Sequence, residues 1–217
     1  MHRSNITIFA AELAGTFGLI VAATGSIVYD GSLGFSLGVE FIAVMHFAGL
    51  FLMVLVFGRY SMAHFNPAIT IGFAISGYLR PRLIPMYLLA QALGAMTGSV
   101  FVRYVLGDYA RLGLNAPSNE YALPVVFGIE VVATVFLMGG ILLIISIRKN
   151  PVVVSMVVGG IVALDVFFFG SISGASMNPI RSFAPAVLVG MYDDLWLYWA
   201  APFLGSVIAA LIFTKFK

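Results

Sequence analysis

Two Asn-Pro pairs stand inside otherwise apolar sequence: Asn66-Pro67 and Asn178-Pro179, 112 residues apart. Asn is a favoured helix N-cap, and Pro is favoured at the first helical position. Each pair therefore writes a helix start at the same place. The apolar segments that follow, 66–75 and 178–188, are too short to span a bilayer and read as re-entrant half-helices. A helix N-terminus holds unsatisfied N–H groups and the positive end of the macrodipole. Two of them facing one another repel a cation and turn the oxygen of a water molecule toward their donors. Water held that way relays protons poorly. The carboxamides of Asn66 and Asn178 add further donors at this centre.

Few other side chains could do chemistry. Arg181 follows the second pair; an arginine inside a membrane costs about 2.5–3.5 kcal/mol on insertion scales, so it marks either a pore wall or a structural anchor. Glu12 and Glu130 are either proton-relay acids or acceptors that brace the irregular loops before the half-helices, and the second role is favoured. His64 is read as a fixed hydrogen-bonding wall residue rather than a protonation gate, and His46 as pore-facing. Asp165 is an unassigned acid within an apolar run. With no cysteine and only His2, His46 and His64, no nucleophilic set or metal cluster converges, so an enzyme, a metal site and a cofactor are not expected, and mercury has no thiol to block.

These residues need apolar elements to position them, and the chain has little else. Of 217 residues, 61% are hydrophobic and 9% charged, against about 25% charged in soluble domains. Mean hydropathy is +1.07. Net charge is +2, too small to suggest a nucleic-acid partner. Six long runs, near Ile6–Val28, Ser36–Phe57, Leu83–Leu106, Tyr121–Ile147, Val152–Gly170 and Leu195–Thr214, read as transmembrane helices. The first run is too long for a signal peptide and carries Glu12, so it reads as a retained helix. Arg3, Arg59, Arg80, Arg82, Arg148, Lys149, Lys215 and Lys217 fall on one side of this arrangement, which the positive-inside rule makes cytoplasmic, with both termini.

Glu12, Thr16 and Phe17 in the first span are echoed by Glu130, Thr134 and Phe136 in the fourth. The halves, about 5–106 and 121–214 of a single channel domain 1–217, each hold three spans and one half-helix. Three is odd, so the second half inserts upside down and the half-helices enter from opposite faces. The expected fold is an all-α membrane protein of six transmembrane helices and two re-entrant half-helices. The expected function is a passive pore for water and small neutral solutes that excludes protons and ions. An ion-coupled transporter, which also uses inverted repeats and broken helices, is the alternative, with Asp165 as its one candidate coupling acid.

The segments Ala11-Glu12-Leu13-Ala14-Gly15-Thr16-Phe17, His64-Phe65-Asn66-Pro67-Ala68 and Ser173-Gly174-Ala175-Ser176-Met177-Asn178-Pro179-Ile180-Arg181-Ser182-Phe183 resemble those of the aquaporin (major intrinsic protein) family. The resemblance covers about Asn5 to Thr214. It implies a homotetramer in a lipid bilayer at the cell membrane, with one pore per subunit and Asn66 and Asn178 at its centre. Counted from the two asparagines, the family's selectivity filter falls on His46, Val166, Ala175 and Arg181; a shift of one would exchange His46 for Phe47. Strict water channels typically have Phe and His at the first two positions. The His/Val pair looks closer to plant vacuolar-membrane members, some of which pass ammonia or urea. Ser182, Ala186 and Tyr198-Trp199 resemble the water branch rather than glycerol channels. The resemblance further implies that backbone carbonyls of Met62, Ala63 and His64 line the inner path, and those of Gly174, Ser176 and Met177 the outer. Ile180 replaces the motif's usual Ala, which predicts a small shift where the half-helices meet.

Overall fold

The computed structural model describes residues 4–147 and 150–216. Arg3, Arg148, Lys149 and Lys217, used above to orient the chain, lie outside the described residues, as does His2. Six helices are long and apolar enough to span: α1 (Asn5–Ser32), α2 (Gly38–Ser61), α4 (Ile84–Leu106), α5 (Leu123–Ile147), α6 (Pro151–Ser173) and α8 (Leu197–Phe216). Between them lie the short helices α3 (Pro67–Ile75) and α7 (Pro179–Val189).

Local sequence explains where these elements start and stop. Asn66 and Asn178 are extended, and their side-chain oxygens cap the N–H groups of Ala68 and Ile180, with Pro at the first helical turn. Ser4 and Asn150 cap α1 and α6 in the same manner. α2 ends at Met62 (φ 74°) and α6 at Gly174 (φ 83°), both left-handed. These two helices run three or four residues beyond the apolar stretches, because their last turns are polar and lie where headgroups and loops replace lipid.

The helices pair as an inverted repeat. α1 packs on α2 and α4, as α5 packs on α6 and α8. The half-helices cross over: α3 packs on α8, and α7 on α4. α2 meets α6, and α3 meets α7, on the line between the halves. Outward side chains such as Leu143 (58% exposed), Leu164 (58%) and Phe168 (62%) present the apolar surface a bilayer requires. Inside, Phe65, Ile69, Phe73, Leu137, Met138 and Leu142 form the main core around the half-helices.

Close approach of α4 to α1 depends on Gly94 and Gly98, which lie against the backbone of Leu13 and Phe17 and the side chain of Ile20. Gly205 lets α8 approach Val131 and Thr134 of α5 in the same way.

Candidate functional site: two half-helices meeting at mid-membrane

The loops before α3 and α7 cannot form regular structure. Met62, Ala63 and Phe65 have positive φ, and so do Gly174, Ala175 and Met177, each 112 residues on. Positive φ in a non-glycine residue is strained and must be held by its surroundings. Two fully buried carboxylates hold it. Glu12 accepts the N–H of His64 at 3.0 Å and of Phe65 at 2.8 Å. Glu130 accepts those of Ser176 and Met177, both at 2.9 Å. Each takes a third donor, Gln91 Nε2 at 2.8 Å for Glu12 and Ser173 Oγ at 2.7 Å for Glu130. Tyr87 and Tyr198 donate to the carbonyls of Ser61 and Ser173, the residues that close α2 and α6. With their N–H groups occupied, the carbonyls of Met62, Ala63 and His64 accept no hydrogen bond from the described residues, and water can take them.

At the meeting point each asparagine has two tasks. Its Oδ1 caps its own half-helix. Its Nδ2 donates to the opposite loop, Asn66 to the Met177 carbonyl at 2.8 Å and Asn178 to the Phe65 carbonyl at 2.9 Å. A carboxamide has two N–H groups, so one on each asparagine is left for a passing molecule. Ile180 does not disturb this lock. It packs with Ile20, Ala95 and Ala184, and both asparagine bonds across the junction are made.

The path around this point is narrow at the centre. A cavity of about 50 Å³, room for a short file of waters, is lined by Asn66, Asn178, His64, Ser176, Met177 and apolar side chains. It shares Ala63, Ile141 and Val158 with an inner vestibule of about 430 Å³, also lined by Met62 and Arg59. It shares His46 and Arg181 with an outer vestibule of about 490 Å³, which Val166 and Gly174 also line, while Ala175 lines the central cavity. His46, Arg181, Val166 and Ala175 thus lie around the outer neck. Phe47 instead stacks on Phe51 (ring centroids 5.7 Å), and its backbone packs against Gly159 in the α2–α6 seam.

The neck is chemically two-sided. His46 Nδ1 lies 2.8 Å from the Ile42 carbonyl and must carry the proton there, so Nε2 is the neutral ring's free acceptor. Arg181 is 3% exposed and has no carboxylate partner among the described residues. Its Nη1 donates to the Gly113 carbonyl at 2.7 Å and to Asn115 Oδ1, while Nε has no partner among the described residues. The result is a positive charge with no direct ion-pair partner among the described residues, facing an acceptor and small apolar walls. His64 is held differently. Thr70 gives its hydroxyl proton to the Asn66 carbonyl and accepts from Gln91 Nε2, so His64 Nδ1 is assigned as a second donor to it, and the ring stacks on Phe73 (4.3 Å).

Asn115, Gly113 and Gln91 were not singled out from sequence. A lone Asn or Gly in a loop and one Gln in a span carry no periodic signal, and their partners lie far along the chain. Asp165 lines neither the central cavity nor either vestibule. It is 5% exposed on α6, and its Oδ2 has no partner among the described residues. Met53 occupies the related position, 112 residues earlier, on α2. A buried polar group without a partner costs about 1–3 kcal/mol. Asp165→Met is therefore expected to raise the thermal midpoint in detergent by several degrees and to leave water flux at the wild-type value. A lowered midpoint would show that Asp165 has a structural partner.

Six spanning helices in an inverted repeat, closed at mid-membrane by two asparagine-capped half-helices, define an integral multi-pass channel, not an enzyme. The family model for the major intrinsic proteins matches residues 2–213, and the chain belongs to that family, the aquaporins. Aquaporin NIP1-4 of Oryza sativa subsp. japonica is 35% identical over 224 residues, covering 100% of this chain and 79% of that protein. Probable aquaporin TIP2-2 of the same plant is 30% identical, covering 97% of this chain and 87% of that one. The aquaglyceroporin of Plasmodium falciparum has the same fold, with a TM-score of 0.90 at 24% identity over 98% of this chain and 96% of its own. The protein is thus a passive channel for water or small solutes.

Proposed function

We propose that the channel conducts water together with ammonia or urea, and excludes protons and ions. The observation that carries this reading is the outer neck: one histidine acceptor, one arginine with spare donors, and Val166 and Ala175 in place of bulk. A small solute that both donates and accepts hydrogen bonds replaces its hydration there at little cost. Cations meet the charge of Arg181 and then two half-helix N-termini, with Asn66 and Asn178 as central donors. The filter is His46, Val166, Ala175 and Arg181. Carbonyls of Met62, Ala63 and His64 serve the inner path, and those of Gly174, Ser176 and Met177 the outer. Met177 gives one lone pair to Asn66, and Gly174 one to Asn115.

The membrane we assign is the cell membrane, with both termini cytoplasmic. Arg59, Arg80, Arg82 and Lys215 lie at the end of the bundle that holds the termini, and Asp30, Asp108, Arg111, Glu120, Asp193 and Asp194 at the other, with Arg103 beside Asp108 there. The working unit is a homotetramer, as in the family it resembles.

Stopped-flow light scattering on proteoliposomes tests the solute range. Wild type is expected to pass water fast and urea measurably, with no proton leak above empty liposomes. His46→Phe is expected to lower urea flux on the order of tenfold, as pocket volume and one acceptor are lost together, while water flux falls less. Urea and ammonia flux both equal to that of empty liposomes in wild type would make this a water-only channel despite its neck.

A further inference from the structure

We propose that Asn115 sets the aperture of the neck by fixing Arg181, so that a residue outside the filter determines selectivity. This rests on the filter reading above. Asn115 lies in the connection between α4 and α5, the segment that joins the two halves. That connection crosses the outer mouth as a strap. At one end Tyr109–Gly113 sits against α1, where a side chain at Gly113 would lie 3.0 Å from Thr24 Cα. Farther on, Ser118 N–H donates to the Ile172 carbonyl of α6 at 3.0 Å. Leu114, Asn115 and Ala116, between these anchors, line the outer vestibule.

The Asn115 carboxamide is 4% exposed and spends its hydrogen bonds on the neck. Its Oδ1 accepts from Arg181 Nη1 and from Ser182 Oγ, the latter at 2.8 Å. Its Nδ2 donates to the Gly174 carbonyl at 2.8 Å. One side chain therefore ties Arg181 on α7 to the residue preceding Ala175 in the loop. Both hydrogen-bond partners of the guanidinium among the described residues, Gly113 and Asn115, come from the strap; its Nε has none there. An arginine has several rotatable bonds and a large rotamer entropy. Held at one nitrogen from one segment, it keeps its position only as long as that segment does. Gly113 offers a single carbonyl, whereas Asn115 also couples Arg181 to the Gly174 carbonyl in the loop before α7.

The test is the ratio of urea to water permeability in proteoliposomes, measured for Asn115→Ala, Arg181→Ala and the double variant, with thermal midpoints recorded beside them. Asn115→Ala is expected to raise the ratio on the order of tenfold, since a guanidinium free to swing aside widens the neck and removes a wall that rejects by fit. The double variant is expected to match Arg181→Ala alone, because residues acting through one group are not additive. A ratio that rises in Arg181→Ala but not in Asn115→Ala overturns the role of Asn115 and leaves the filter standing. Independent, additive effects overturn it too. A ratio unmoved by either substitution removes the filter reading and this inference with it. Should Asn115→Ala yield no folded protein, Asn115→Asp decides. It keeps the acceptor and strengthens its hold on the guanidinium while losing the donor to the Gly174 carbonyl, so its ratio is expected well below that of Arg181→Ala, and a ratio as high as that of Arg181→Ala overturns the proposal.

Discussion

Glu130→Ala is expected to destroy the folded channel rather than slow it. The substitution strands the buried N–H groups of Ser176 and Met177 and leaves the Ser173 hydroxyl only the Phe169 carbonyl, 3.5 Å away. Each buried donor left unsatisfied costs about 1–3 kcal/mol. Two such penalties and one weakened bond take a large part of the stability of a typical domain. The loop they belong to is already strained, with Ala175 at φ 44° and Met177 at φ 50°, so it has no relaxed conformation nearby in which to recover the bonds. Size-exclusion profiles and thermal midpoints in detergent provide the check: either no monodisperse protein or a midpoint lowered by roughly 10 °C or more. Glu130→Gln keeps one acceptor oxygen and should fall between. Glu12→Ala should behave like Glu130→Ala, because it strands His64, Phe65 and one donor of Gln91. A Glu130→Ala protein melting within two or three degrees of wild type would mean that water satisfies the loop.

Much of the fold is written in continuous apolar runs. Nothing but a membrane tolerates six of them in 217 residues, and nothing in a membrane but helices suits their length. The half-helices are legible for a different reason. Asn and Pro at a helix start are local chemistry, and local chemistry can be read without knowing the neighbours. Helix ends were harder. α2 continues through Gly58, Arg59, Tyr60 and Ser61, and α1 continues past Asp30, since hydropathy fades at the headgroups before hydrogen bonding does.

The candidate site divides along the same line. Glu12, Glu130, Asn66, Asn178 and Arg181 could be picked out because their types are rare in lipid and, the Arg apart, duplicated. What each side chain touches could not be. The donors to Glu12 come from residues 52, 53 and 79 positions away, and the acceptors of Arg181 from 66 and 68 positions away. No window along the chain contains both partners. Repeat logic also misleads where the halves diverge. Ser61 at Glu12 and Ser173 at Glu130 keep the repeat, but Gln91 donates to Glu12 and the residue 111 positions on is Pro202, which has no donor. Ile180 is expected from its size to shift the junction slightly, because sequence gives that size but not the neighbours it packs with, Ile20, Ala95 and Ala184.

Gly94 and Gly205 should prove nearly as sensitive as the glutamates, although neither touches the pore. A Cβ on Gly94 would overlap the Leu13 carbonyl and lie 3.0 Å from Thr16 Cβ and 3.1 Å from the Phe17 nitrogen. On Gly205 it would overlap the Val131 carbonyl and lie 2.9 Å from Thr134 Cβ and 3.2 Å from the Val135 nitrogen. These are backbone and helix-locked atoms that cannot rotate aside, so the helices must separate. Overpacking of this kind costs about 1–3 kcal/mol, and Gly94→Ala and Gly205→Ala should each melt several degrees below wild type. Gly139→Ala on α5 is the internal control. Its Cβ meets nothing within 4 Å, and a helical Gly-to-Ala change gains about 1 kcal/mol in propensity. The effect should extend to function. α4 carries Tyr87 and Gln91, which hold Ser61, Glu12 and Thr70; α8 carries Tyr198 and Ser206, which hold the carbonyls of Ser173 and Ala68. Moving either helix outward pulls on the end of a half-helix loop. Water flux per folded channel should therefore fall in Gly94→Ala and Gly205→Ala and stay unchanged in Gly139→Ala. Equal midpoints and equal flux in all three would show that α1–α4 and α5–α8 have slack the geometry does not contain.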